Sequence, residues 1–164
     1  MSRNLNVQFF EMEHTVLRFD PDSSILLCRS NLADKKKLWI KKLNGLMEIS
    51  DIIEDTKRYY IACDSGNING QYIAIQKNTG MTDWFIPGKS FLHLLYKDFL
   101  YLIFSDESNQ YYLLKVRLTD GKSVWFHPVD QDLNEYIFID NEVKLRYLSG
   151  KSESISIRTG RPVR

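Results

Sequence analysis

Four short turn segments that end in glycine recur along the chain at nearly even spacing. They are Leu43–Gly45, Asn78–Gly80, Thr119–Gly121 and Arg158–Gly160, and the glycines stand 35, 41 and 39 residues apart. Asn-Gly and Asp-Gly type sequences supply the positive φ angles that a tight β-hairpin needs. A fixed period of about 40 residues predicts a repeated supersecondary unit rather than one continuous globular pattern.

The sequences on either side of the turns repeat as well. Residues 72–85 align with residues 113–126, so that Trp84 and Trp125 each stand four positions after a glycine and are followed by Phe. Residues 24–28, 59–63 and 100–104 also align. These segments are short and rich in aromatic and branched side chains, which is typical of strands, and no helical period persists over ten residues.

The sequence pattern of each repeated unit therefore predicts four antiparallel strands, A to D, with the glycine turn between strands C and D. One such meander cannot bury both of its faces, so neighbouring units must stack on it. The fold class expected is all-β: a β-propeller-like array of about four antiparallel four-stranded blades, as a four-bladed ring or a half-propeller. We expect a single domain over 1–164, with repeats at 13–49, 50–86, 89–127 and 133–164. A strand at 7–12 is expected to complete the last blade.

The segments Thr79–Trp84 and Asp120–Trp125 resemble the T-G-x-x-x-W motif of the PQQ-type (quinoprotein-like) propeller repeat. The resemblance covers nearly the whole chain, although only two of the four units carry the Trp. The Asp that the family places four residues before the glycine is replaced in every unit, by Lys41, Gln76, Arg117 and Ser156. The resemblance implies blades between which Trp84 and Trp125 dock. It implies no quinone cofactor, because most members of this repeat class bind none.

Charge and hydropathy restrict the partners. The chain has 22 basic and 21 acidic residues and a formal charge of +1, so no nucleic-acid partner is expected. The run Lys35–Lys37 is expected to be a solvated edge. No stretch approaches the ~20 apolar residues that span a bilayer, so no membrane partner is expected. Without a visible signal peptide, the expected location is cytoplasmic.

Catalytic groups do not cluster in the sequence. His14, His93 and His127 fall in three different units, and none has a metal-ligand companion at a suitable spacing. Cys28 and Cys63 both stand 17 residues before a turn glycine, which predicts equivalent core positions rather than nucleophiles or a disulfide. The loop 64–70 lacks the acidic pattern of a calcium loop. We therefore expect no catalytic residue, metal or cofactor, and no enzymatic activity.

Partner contacts are expected from exposed aromatic and polar residues. Trp39 aligns with Ala74 and Lys115, where the repeat requires no Trp, so it is a candidate for exposure. Of the pairs at 59–60 and 111–112, strand alternation sends one Tyr outward. The loops between strands B and C add polar groups. The candidate partner-binding residues are Trp39, Asp64, Asn67, Asn69, Asp106, Glu107 and Asn109.

The sequence thus favours a non-enzymatic protein-protein interaction or scaffold module whose partner is another protein or a second copy of the chain. The alternative is a lectin-like propeller that binds glycans or other small ligands, which requires equivalent residues in every unit. The expected B–C loops at 29–35, 64–70, 105–110 and 149–151 differ in length and chemistry, which counts against that alternative.

Overall fold

The computed structural model describes residues 6–45, 48–66 and 69–163. Within this part of the chain every regular element is a β-strand, and fifteen strands form four antiparallel sheets. The all-β, blade-like fold class is therefore confirmed. The chain divides into two compact units, Met1–Ser90 and Phe91–Arg164. None of the described segments forms a helix that is long and apolar enough to cross a membrane.

The first unit holds two four-stranded sheets, each a meander in chain order. Sheet I consists of β1 (Gln8–Glu11), β2 (Thr15–Asp20), β3 (Ile25–Ser30) and β4 (Lys37–Lys42). Sheet II consists of β5 (Glu48–Glu54), β6 (Arg58–Asp64), β7 (Gly70–Gln76) and β8 (Thr82–Pro87).

The second unit holds the other two sheets. Sheet III consists of β9 (Lys89–Tyr96), which begins two residues before the unit boundary, β10 (Phe99–Ser105), β11 (Tyr111–Arg117) and β12 (Ser123–Val129). Sheet IV has three named strands, β13 (Leu133–Ile139), β14 (Glu142–Tyr147) and β15 (Ser152–Ser156). A single bridge from Ile155 to Pro162 marks where a fourth strand begins beside β15.

Alternation along the strands places the core of the first unit between sheets I and II. In β2, Leu17 and Phe19 are fully buried while Arg18 points to the opposite face. These side chains join Leu26 and Cys28 of sheet I and an isoleucine-rich face of sheet II in one apolar cluster. Burial of this cluster stabilises the stacking of the two sheets, because each sheet alone would leave the same side chains in water.

The middle strands of sheets II and III are buried on both faces. Tyr59 and Tyr60 of β6 are 1% and 0% exposed, so the expectation that one of them points outward is wrong. Tyr59 packs toward sheet I against Trp39, and Tyr60 lies on the opposite face against Trp84. Strand alternation exposes a side chain only where one face of the sheet meets water, and β6 has no such face.

Tryptophan locks the two sheets within each unit in the same way. In the first unit, Nε1 of Trp39 donates to the carbonyl oxygen of Lys77 at 2.7 Å, and the ring lies over Gly80. In the second unit, Nε1 of Trp125 donates to the carbonyl oxygen of Ile157 at 2.7 Å, and the ring lies over Gly160. Glycine is thus required at each of these turns for two reasons: its φ is positive, and the indole ring approaches its Cα closely.

Trp39 is consequently not the exposed residue that the sequence alignment suggested. It is 6% exposed and pairs with Cys28, as Trp84 pairs with Ala74 and Trp125 with Lys115. A β-bulge adjoins the Trp pair in all three sheets. Trp39 is therefore the fourth-strand tryptophan of sheet I, and the repeated Trp occurs in three sheets instead of two.

The first repeat therefore begins one strand earlier than the sequence alignment placed it. Lys35, with φ of 48°, stands four residues before Trp39 and takes the place of the turn glycine, whereas Gly45 lies between β4 and β5. The first blade therefore spans 8–42 instead of 13–49. The segment expected to complete the last blade is β1, which pairs with β2 in sheet I. Cys28 in β3 and Cys63 in β6 are not equivalent, although both are buried free thiols.

Candidate interaction surfaces

The predicted partner-binding loops lie at equivalent places in the two units. Asp64 ends β6, and Asn69 is exposed in the β6–β7 loop; Asn67 lies outside the described residues. Glu107 and Asn109 are exposed in the β10–β11 loop. The first loop belongs to the unit Met1–Ser90 and the second to the unit Phe91–Arg164.

Asp106 organises its own loop. Its Oδ1 accepts hydrogen bonds from the backbone N of Ser108 at 3.0 Å, from Oγ of Ser108 at 2.7 Å and from the backbone N of Gln110 at 3.1 Å. These bonds hold the pKa of the Asp106 carboxyl below its ordinary value. The carboxylate therefore fixes the turn that contains the exposed residues Glu107 and Asn109.

A groove that the sequence analysis missed lies beside this loop. Nε2 of Gln131 donates to the carbonyl oxygen of Asn109 at 3.4 Å, which joins the β10–β11 loop to the link between β12 and β13. The groove has a volume of about 330 Å3, and its aromatic wall includes Phe91, Tyr111 and Tyr136. Phe91 is 50% exposed and its ring centroid lies 5.0 Å from that of Tyr111. We call this feature the Phe91 groove.

A second candidate surface is the outer face of sheet I, the face directed away from sheet II. The strand register defines it as the rows Phe9–Arg18–Leu27–Ile40, Glu11–Val16–Arg29 and Asp20–Ile25–Lys42. Five of these ten side chains are apolar, and none of the ten is buried: Phe9 is 66% exposed and Ile40 is 56% exposed. The signal in the sequence was the neighbouring pair Phe9 and Phe10, since apolar residues on both faces of an end strand indicate two packing partners.

The other sheets do not present such a face. Both faces of sheets II and III contain buried side chains, among them Tyr60 and Tyr72 on one face of sheet II and Ile61 and Ile73 on the other. The face of sheet IV directed away from sheet III is mostly polar: Glu135, Ile137, Ile139, Glu142, Lys144, Arg146, Ser152, Ser154 and Ser156. A polar end face is suited to water, whereas the outer face of sheet I is apolar and partly exposed.

Two clusters that contain titratable side chains join neighbouring sheets. In the second unit, His127 Nε2 lies 3.3 Å from Oε1 of Glu153, and the Tyr147 hydroxyl donates to the same oxygen at 2.6 Å. In the first unit, Nζ of Lys77 lies 3.4 Å from Oε1 of Glu54 within sheet II, and the backbone N of Glu13, in the β1–β2 link of sheet I, donates to the same oxygen at 3.1 Å. Each cluster joins two sheets, which is a structural use of the charges. The described residues contain no group of three or more His, Cys, Asp or Glu side chains placed to hold a metal ion.

Comparison with known proteins adds information at the level of the fold. No family model matches the chain, and no curated protein matches it. Among solved structures, BamB from Moraxella catarrhalis is similar with a TM-score of 0.64 at 17% identity, over 96% of this chain and 47% of BamB. The computationally designed protein Ika4 gives a TM-score of 0.66 at 11% identity, over 95% of this chain and 94% of Ika4.

Quinohemoprotein alcohol dehydrogenase from Comamonas testosteroni gives a TM-score of 0.62 at 10% identity, over 99% of this chain and 35% of the dehydrogenase. The chain thus spans about half the length of BamB, at 47%, and a third of the dehydrogenase, at 35%. The chain has the fold of a PQQ-type β-propeller.

Proposed function

We propose that this chain is a non-enzymatic protein-interaction module of the β-propeller type, and that its principal partner surface is the outer face of sheet I. One observation carries the proposal: this face exposes Phe9 and Ile40 in one row and has no buried side chain, whereas both faces of sheets II and III contain buried side chains and the outer face of sheet IV is mostly polar. Contiguous exposed apolar residues with a polar rim are typical of protein interfaces.

The charges on this face favour an acidic partner. Arg18 and Arg29 stand in its central rows, and Lys42 lies at its edge. Arg18 of sheet I occupies the position that Ile61, which is fully buried, occupies in sheet II. Sheet I therefore has a cation where the corresponding face of sheet II has an aliphatic side chain. The exposed run Lys35–Lys37 adjoins β4, while Glu11 and Asp20 are the acidic residues of the face. Arginine is enriched at interfaces because its planar group packs on apolar surface and pairs with carboxylates.

A second copy of the chain is a poorer complement. Two outer faces of sheet I would bring Arg18 and Arg29 of each copy together, and the polar face of sheet IV carries Lys144 and Arg146 beside Glu135 and Glu142, so it offers no excess of carboxylates. Like charges brought together at an interface are unfavourable. We therefore infer a partner that is a different protein, with carboxylates around an apolar patch.

The B–C loops do not support the lectin-like alternative. A ligand-binding propeller needs matched polar groups in its loops, but Asp106 uses its carboxylate inside its own turn. The corresponding β14–β15 loop of sheet IV has no carboxyl residue. The alternative is not favoured.

The experiment is affinity capture from the native lysate with paired variants, followed by mass spectrometry. Phe9→Asp and Ile40→Asp each place a carboxylate in the outer face of sheet I and should abolish retention of a stoichiometric acidic partner. Phe85→Asp is the matched control, because Phe85 follows Trp84 as Ile40 follows Trp39, and is 57% exposed against 56% for Ile40.

The control should retain the partner, because it lies outside the outer face of sheet I. Circular dichroism should show the same strand content in all three variants. The proposal fails if the captured protein is lost equally with Phe85→Asp, or if only further copies of this chain are recovered.

A further inference from the structure

We propose that the Phe91 groove binds an extended basic segment of a partner protein, with a lysine or arginine side chain lying along its aromatic wall. The groove and the outer face of sheet I have no residue in common. The inference therefore adds a second surface and does not depend on the first.

The shape of the groove suits side chains rather than a large ligand. Its volume of about 330 Å3 is at the lower end for pockets that enclose small molecules. Phe91 is 50% exposed and Tyr136 is 38% exposed, so part of each ring is accessible to a bound side chain. Leu92, Ile103 and Leu133 complete an apolar lining, which can hold the methylene stem of a long charged side chain.

The charge around the groove selects a cation. The two segments beside it, residues 105–110 and 129–135, contain five carboxyl residues and no Lys or Arg: Asp106, Glu107, Asp130, Asp132 and Glu135. Two basic residues from sheet IV and its loop offset them, Lys151 at 3.2 Å from Asp130 and Arg146 at 3.1 Å from Glu135. The rim thus retains an excess of negative charge.

Aromatic faces and carboxylates act together on a cation. A lysine ammonium or an arginine guanidinium is attracted to the face of a Phe or Tyr ring, and the carboxylates hold its charged end at the rim. An acidic segment would be repelled by the same rim, and an anionic lipid surface would be repelled in the same way. The chemistry of the groove therefore specifies a basic peptide.

The test is a titration of the 15N-labelled full chain with the peptide acetyl-Lys-Leu-Arg-Leu-amide, followed by amide chemical shifts. We expect saturable shifts confined to the groove, at Tyr111, Gln131 and Tyr136, that weaken as salt is raised. The control peptide acetyl-Glu-Leu-Glu-Leu-amide should cause none. Phe91→Ala should lower the affinity about two- to fivefold, the range for one exposed cation–ring contact.

Phe126→Ala is the matched variant, because Phe126 is 61% exposed in the same sheet but does not line the groove, and it should leave the affinity unchanged. The double variant Glu107→Gln with Asp130→Asn should reduce the salt dependence. The inference is overturned if both peptides shift the same amides, if Phe126→Ala weakens binding as much as Phe91→Ala, or if the groove amides respond to protein concentration alone. The last outcome would mean that a second copy occupies the groove.

Discussion

Replacing Gly80 with alanine tests the tryptophan lock of the first unit most directly. Gly80 has φ of 74°, and a Cβ at this position would lie 2.6 Å from Cδ2 and from Cε3 of Trp39. An L-residue in the left-handed region costs about 1–2 kcal/mol. The ring must also move, which breaks the Nε1 bond to Lys77 and leaves a carbonyl unpaired at a cost of about 1–3 kcal/mol. We expect Gly80→Ala to lower the free energy of unfolding by about 2–5 kcal/mol.

Gly45→Ala is the matched control for this change. Gly45 has φ of 76°, but a Cβ there would meet nothing within 4 Å. It should therefore lose only the conformational part, about 1–2 kcal/mol. The difference between the two variants isolates the contact of the indole ring with the turn.

Urea unfolding followed by circular dichroism gives both free energies, and tryptophan fluorescence reports whether Trp39 becomes exposed. In a Trp39→Phe background, Gly80→Ala should approach the smaller value, because the larger ring is gone. Equal losses for Gly80→Ala and Gly45→Ala would refute the lock.

Three further predictions concern the same packing and its charges. Gly160→Ala should destabilise the second unit by more than Gly150→Ala in urea unfolding, since the added Cβ would lie 2.5 Å from Trp125 at position 160 and meet nothing within 4 Å at position 150. Burial raises the pKa of Asp83, but hydrogen bonds from Arg58, at 2.6 Å, and from Gln76 outweigh it and bring the pKa below its ordinary 3.8. The pair of Arg58 and Asp83 should therefore stabilise the fold above that pH and lose this contribution as the pH falls below it. In urea unfolding, Arg58→Met should lower the free energy of unfolding by about 2 kcal/mol near pH 7 and by much less at pH 3. Burial lowers the pKa of Lys115 below its ordinary 10.5, so the unfolded chain binds more protons at this residue and its contribution to stability rises as the pH rises toward that value. Burial raises the pKa of the Cys28 and Cys63 thiols, which acts in the opposite direction, so the comparison is made between the wild type and Lys115→Met. The free energy of unfolding of the wild type relative to this variant should increase from pH 7 to 10 in urea unfolding, and a constant difference would refute the prediction.

The repeat could be predicted from the sequence because every copy of it meets the same local requirements. A positive φ is needed at the turn before strand D, and glycine supplies it at positions 80, 121 and 160. The first repeat was aligned incorrectly because Lys35, rather than a glycine, has the positive φ at its turn, at 48°. No local sequence pattern distinguishes this lysine from the others. Gly45 then offered a false match outside the sheet, which displaced Trp39 and Cys28 by one strand.

The candidate surfaces were less accessible to sequence analysis. The β10–β11 loop was found because Asp, Ser and Asn mark turns, but the hydrogen bonds that Asp106 accepts within the loop were not predicted. The Phe91 groove is lined by strands and links 40 residues apart along the chain, from Phe91 to Gln131. No short motif records that proximity.

The amino-acid sequence by itself determined the strands, their order and the blade-like repeat, because period-two alternation and turn chemistry act over a few neighbouring residues. The tertiary structure decided which faces are covered. Tyr59 and Tyr60 are both buried because β6 has apolar groups on each side, whereas Phe9 and Ile40 remain exposed on an equally strand-like sheet. Burial depends on what packs against a face, and that is set by contacts between distant segments rather than by the residues of one strand.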